Sequence, residues 1–354
     1  MKVSNIKVPK KIIAWAILSI ILQVGGLYVL DNFVFKQSSD FRSIKKEIQK
    51  DNTKDINATI PTDAEAINVS YDGKYLTYKE NNNLYMQDTK TGTSTVVTKE
   101  ISGDILYYKW FADRDILIIA KKVEKNGESK IQLVTYNPKN SSETSVSEND
   151  ICAYQKDMEV KKVSESTITG VYYVDIYKGG LKNSVYRIDI NGTLTKISIQ
   201  TSVLGNMQVI PHEDRLIYED KINGNFFVTS PNKQLKFNSN KKLTLLGIDR
   251  KDVIYMGELN GDKITSIIYG KISEDTSTWK KVNLDSVVNS DDLYFSNESE
   301  ILLNDNLKGS VKNLTTGNEI EYEGKLIQIK EGFIATVDTN SAKLVYKSLK
   351  VKDK

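Results

Sequence analysis

The chain has 354 residues with five prolines, one cysteine and nineteen tyrosines, which excludes a low-complexity polymer and a disulfide-stapled secreted scaffold. Its formal charge is +3, and Lys2, Lys7, Lys10 and Lys11 against Asp31 account for that excess within the first 35 residues. The remainder is neutral and carries no basic cluster to answer a phosphate backbone, so nucleic acid is excluded as a partner.

Residues 12–30, IIAWAILSIILQVGGLYVL, contain no charge, and Ser19 and Gln23 are the clearly polar side chains. As a helix that length nearly spans a hydrocarbon core, and no polar face breaks it. A cleaved signal peptide is the competing reading. Against it, the apolar run is long, and Asp31, Asn32 and Phe33 follow where a small-residue cleavage site would stand. The pattern predicts a cytoplasmic tail over 1–11, a single transmembrane signal anchor over 12–30, a juxtamembrane linker over 31–54 and an extracytoplasmic domain over 55–354. Lys36, Arg42, Lys45, Lys46 and Lys50 follow the span, so the orientation rests on the basic tail feeding directly into it. Trp15 and Tyr28 lie near the ends of the span, where amphipathic rings favour the interface. Phe41, Ile44 and Ile48 form one narrow stripe on a short helix over about 40–50, a spacer or a dimerising stalk.

The domain itself reads as repeats. Residues 66–100 hold four short strands and three turns: 67–70, the Asp72 and Gly73 turn, 75–79, a turn at 81–83, 84–87, the Thr91 and Gly92 turn, then 94–98. A single such sheet leaves apolar side chains on both faces and needs neighbours to cover them. Further units follow over 104–146, 158–200, 205–238, 242–284 and 291–322. A short last one has strands at 325–330, 333–338 and 343–348. The count is seven, with six or eight left open by an untidy third unit. This predicts an all-β fold, a β-propeller of four-stranded blades behind one transmembrane helix, with residues 55–61 donating the missing strand to the last blade. A stack of β-sandwich domains would need linkers and Greek-key patterns that are not seen.

Within the first unit Ser70, Asp72, Gly73, Leu84, Tyr85, Asp88, Thr91 and Gly92 match the propeller repeat of TolB-like proteins and of the amino-terminal domains of dipeptidyl-peptidase IV type enzymes. Tyr71 stands where that repeat usually has proline. The resemblance covers about a tenth of the chain at motif level and implies a fold more than an activity. Lys-, Asn- and Ile-heavy usage resembles that of AT-rich, clostridial-type Gram-positive surface proteins.

Chemistry is sparse. No Gly-x-Ser-x-Gly elbow occurs among these residues, and a hydrolase domain is not expected. His212, the sole histidine, reads as a turn residue. Cys152, the sole cysteine, reads as a small packed thiol. One histidine and one cysteine do not make a zinc site, and no cofactor or catalytic set is assigned. Asp291, Asp292, Glu298 and Glu300 form the densest acidic patch and Asp113 with Asp115 another; either reads as a solvated loop, or as a calcium or glycosidase-like site. Tyr108 and Trp110 on one face of a strand, Tyr107 on the other, and Tyr172, Tyr173 and Tyr177 read as packing between blades, or as a sugar-stacking surface. The expected function is a non-catalytic, membrane-anchored extracytoplasmic scaffold or ligand-binding module for another surface or membrane protein or a wall polysaccharide. The alternative is a hydrolase or lyase acting on wall or exported polysaccharide at the mouth of the propeller channel.

Overall fold

The computed structural model describes residues 10–29, 56–180 and 182–349, and the chain divides into an N-terminal unit and a unit over Lys50–Lys354. The first contains a helix, Lys10–Val29, about 30 Å long at 1.5 Å per residue. Trp15, Ile20, Ile21, Leu22, Val24 and Leu27 on it are exposed. Counted over the described residues, no helix is long and apolar enough to cross a membrane. The side chains of Ile12, Ile13, Ile17, Tyr28 and Val29 lie outside that description, as do the tail over 1–9 and the whole linker over 31–54 with its expected helix.

The second unit is a seven-bladed β-propeller. Each blade is an antiparallel up-and-down sheet. The first strands are Glu65–Val69, Asp104–Trp110, Glu159–Ser166, Leu204–Val209, Leu243–Ile248, Leu293–Phe295 and Lys325–Lys330. First strands approach one another in turn from blade 7 through blades 1, 2, 3 and 4 to blade 5, and blade 6 joins blades 5 and 7 through apolar seams, so the first strands line the centre of a closed ring. In every blade except the sixth, whose first strand has three residues, a bulge interrupts the pairing of first strand with second. A bulge raises local twist and re-aims the next side chain. Here Asn68, Lys162 and Gln328 follow one.

Burial explains why single blades do not stand alone. Among the described residues, seven apolar clusters form, one at each blade interface. Leu84, Met86 and Val97 of blade 1 meet Trp110, Leu117 and Ile119 of blade 2. Leu302 and Val311 of blade 6 meet Ile329 and Ile334 of blade 7. A fully buried aliphatic side chain contributes about 1.5–3 kcal/mol, so the ring is held by the sum of these seams.

Closure comes from the start of the domain. Thr59 bridges Lys343 in antiparallel pairing, Ile60 N–H donates to Ala342 O at 2.9 Å, and Leu344 N–H donates to Ala58 O at 3.0 Å. Ala58 and Ile60 are buried between blades 7 and 1. Asn57 N–H reaches across to Thr89 O of blade 1 at 2.9 Å. The segment expected over 55–61 thus lies, from residue 56 on, along the edge of the three-stranded seventh blade and takes the fourth strand's place with one β-bridge instead of a full strand.

Three details depart from the sequence reading. Blade 1's last strand ends at Val96, and one helical turn, Val97–Glu100, delivers Val97 and Ile101 to the seam with blade 2. The long third strand of blade 2, Glu128–Asn137, outruns its partner Ser142–Ser145, and Cys152–Ala153 completes its edge. Blade 5's outer strand is Lys280–Val288, longer than expected. Trp279 before it packs on Gly270, where any Cβ would collide with the indole.

Candidate binding site

Because every first strand runs the same way round the ring, the seven hairpins that follow them converge on one mouth of the channel. Each is fastened to the next. Asp72 N–H donates to Asp115 Oδ1 at 3.1 Å, joining blades 1 and 2. Thr167 Oγ1 donates to Asp113 Oδ2 at 2.6 Å, and Ser166 Oγ to Pro211 O at 2.5 Å. His212 N–H donates to Asp252 Oδ1 at 3.0 Å, and Lys251 Nζ to Glu298 Oε2 at 2.8 Å. Asn297 N–H donates to Glu331 Oε2 at 3.0 Å, and Tyr346 Oη closes the circle on Gly73 O at 2.8 Å. Five of these seven links end on a carboxylate.

These bonds show what the acidic residues singled out in the sequence contact. Asp113 and Asp115 face different ways: Asp113 binds Arg114 and Thr167 and lies 3.9 Å from Arg250, whereas Asp115 turns to Asp72 and Lys74. Burial, then the hydrogen-bonded Asp72 carboxyl, pushes Asp115 up to about 6. Against burial, bonds from Asp115 and Lys74 hold Asp72 below the usual carboxylate range. The other patch does not exist as one surface. Asp291 and Asp292 precede the first strand of blade 6 and Glu298 and Glu300 follow it, at its opposite ends. Asp292 accepts from Asn289, Glu300 from Asn313, and Glu298 from Lys251. Among the described residues no group of three or more metal-ligating side chains forms.

The other singled-out residues have packing or polar partners too. His212, in the hairpin of blade 4, has its Nδ1 3.0 Å from Oδ2 of Asp252 in the hairpin of blade 5. Cys152 is half-buried, and burial pushes its thiol up, away from the reactive thiolate. Tyr108 Oη donates to Ala66 O at 2.7 Å and Trp110 Nε1 to Thr77 Oγ1 at 3.0 Å, both across the seam to blade 1. Tyr107, on the opposite face, packs on the seam with blade 3. Tyr172 meets Phe111 edge-on at 6.3 Å and Tyr173 Oη donates to Asp214 Oδ1 at 2.8 Å. Tyr177 lies under Lys161 at 5.2 Å.

What the sequence reading missed lies inside the mouth. A cavity of about 320 Å³ is lined by Lys109, Lys162, Glu165, Gln208, Arg250 and Asn297, among others. Lys109 Nζ pairs with Glu165 Oε2 at 2.6 Å; the lysine keeps 31% of its side-chain surface open to the channel and the glutamate 6%. Lys162 has no such partner: burial and the Lys109 ammonium push it down to about 8. Lys330 of blade 7 is pushed down to about 8 by burial and, again, by Lys109. Lys330 is the last residue of the first strand of blade 7, directly before its mouth hairpin. The signal for these groups is a lysine on a first strand, directly behind a bulge or at the strand's end, where an outer strand would show it to solvent.

No family model matches the chain, and no curated protein matches it in sequence. Solved structures do match in shape. One belongs to a study of two prolyl endopeptidases and the role of inter-domain dynamics in their catalysis and specificity; it is 14% identical with a TM-score of 0.51, over 82% of this chain and 47% of that one. The chain thus spans about half the endopeptidase's length. A chain of the mitotic checkpoint complex is 12% identical, TM-score 0.50, over 84% of this chain and 90% of that one. The β-propeller domain of Myceliophteria thermophila Cps50 (Swd1) is 10% identical, TM-score 0.51, over 83% and 100%. Identities this low establish the architecture alone: the chain is an all-β, seven-bladed β-propeller.

Proposed function

We propose that this protein is a non-catalytic, membrane-anchored propeller that works outside the cytoplasm as a platform for another surface or membrane protein. The observation that carries the non-catalytic reading is the use of the mouth carboxylates: Asp113, Asp115, Asp252, Glu298 and Glu331 each bind the hairpin of an adjacent blade. A general acid and base need open access to substrate at matched separation, and these groups hold the ring instead. The uncharged run over 12–30 and the exposed apolar surface of the helix it forms support the anchor.

The competing reading, a hydrolase or lyase on wall or exported polysaccharide, draws on Asp115, whose raised carboxyl is the best placed proton donor at the mouth. Incubating the full chain in detergent with wall glycans separates the two. The platform reading expects no turnover, with or without Asp115→Asn. Turnover abolished by that substitution would establish the enzyme. In cells, a membrane-impermeant label should reach a carboxy-terminal tag from outside; labelling only after lysis would overturn the topology.

A further inference from the structure

The channel lysines have no task in that platform, and their arrangement points to a ligand. Lys109 and Lys162, from blades 2 and 3, line one cavity at the mouth, Lys330 ends the first strand of blade 7 at the same mouth, and one carboxylate, Glu165, neutralises the first of them. Among the described residues no carboxylate lies within ion-pair distance of Lys162 or Lys330. Such groups are costly where water is scarce, and a fold retains them at a stated expense unless an anion completes them. The surroundings do not supply it. Lys162 is faced by Lys109, Glu165 and Asp175; Glu165 is held by Lys109, and Asp175 sits on the second strand of the same blade accepting from Asn183. Lys330 is faced by Lys109 and Asp115, and Asp115 already takes the Asp72 amide and lies 3.7 Å from Lys74.

We propose that the mouth of the central channel is a binding site for a small oxyanion of two negative charges, a phosphate or a dicarboxylate, held by Lys162 and Lys330 with the Arg250 guanidinium at the entrance. The cavity of about 320 Å³ that Lys162 and Arg250 line, with Lys330 outside its wall, fits this class: it stands at the small end of ligand sites, which run from about 300 to 1,000 Å³. Charge decides the sign of the ligand. Of the carboxylates that line the cavity, Asp113 accepts from Thr167, Glu165 pairs with Lys109, and Asp249 accepts from Tyr255 Oη and the Lys251 and Val253 N–H groups, while Lys162 and Lys330 have no ion-pair partner among the described residues. Arg250 is exposed, 3.9 Å from Asp113, and its planar fork suits phosphate and carboxylate alike. The site does not depend on the anchor or on a protein partner.

The test is thermal unfolding of the full chain in detergent at pH 7, titrated with inorganic phosphate, with succinate, and with chloride at matched ionic strength. Phosphate, succinate or both should raise Tm where chloride does not; which of the two does so tells a phosphoryl ligand from a carboxylate one. Lys162→Met and Lys330→Met should each weaken the response at least tenfold while raising Tm in the absence of added anion, because each removes an uncompensated charge. Lys162→Arg should keep the response, which separates loss of charge from loss of fold. The proposal is overturned if phosphate and succinate do no more than chloride, or if both methionine variants respond as the unaltered chain does.

Discussion

At the scale of single residues, one buried carboxylate shows how polar groups are made to serve this fold. Glu258, on the second strand of blade 5, accepts from Lys281 Nζ at 2.7 Å, Ser266 Oγ at 2.5 Å and Ser239 Oγ at 2.9 Å. Against its burial, these bonds hold it at about 2. The unfolded chain therefore binds its proton more readily than the native one, so the stabilisation is complete above about pH 4.5 and is lost as pH falls toward 2. Glu258→Gln should cost roughly 2–3 kcal/mol at pH 7 and flatten the fall in stability between pH 5 and 2; an unchanged slope in acid unfolding would refute the assignment. None of this was legible in the sequence. Glu258 stands in a run, YMGELN, that reads only as a strand, and its three donors lie 8 to 23 residues away. The channel lysines escaped for the same reason. Period-two alternation tells which residues share a face, but not that a bulge has turned one of them inward.

At the scale of the element, turns were the most legible feature because their chemistry is local. Asn126 and Gly127 both have positive φ between the paired residues Lys125 and Glu128, the two-residue hairpin that an Asn-Gly pair announces. A second device recurs. Asp88, Asp220, Asp305, Asn313 and Asp338 each accept two following backbone N–H groups. Four residues on, Gly92, Gly224, Gly309, Gly317 or Ala342 donates back at positive φ. The Asp-x-x-Thr-Gly string of the first blade is one instance of this turn, and reading it as Asp/Asn-x-x-x-Gly would have found others in blades 4 and 6. The clasp over 55–61 was legible by subtraction, since three strands at the end of the chain left one place to fill. Its weight can be measured. Ile60→Ala should lower stability by about 2–4 kcal/mol, and Ala58→Asp, which sets a carboxylate in the seam between blades 7 and 1, should prevent cooperative folding. Unfolding curves indistinguishable from those of the unaltered chain would remove the clasp from the account.

At the scale of the whole molecule, neutral net charge over the domain, seven apolar seams and a stitched mouth describe a ring stabilised by its continuity. The number of blades was legible because each unit repeats the same rhythm of strand and turn. Which loops meet at the mouth was not, since it depends on closure and joins residues some 40 positions apart, as Asp72 is from Asp115. The acidic patch over 291–300 illustrates the limit: adjacent in sequence, its two halves lie at opposite ends of a strand. The continuity of the ring rests on mouth carboxylates that hold neighbouring blades together. Equilibrium unfolding of the full chain in detergent, comparing Asp252→Asn and Glu331→Gln with the unaltered protein, tests this most directly. Each replaces a charge-assisted bond from a neighbouring hairpin, and each should lose about 1.5–3 kcal/mol. Stabilities within about 0.5 kcal/mol of the unaltered protein would contradict it.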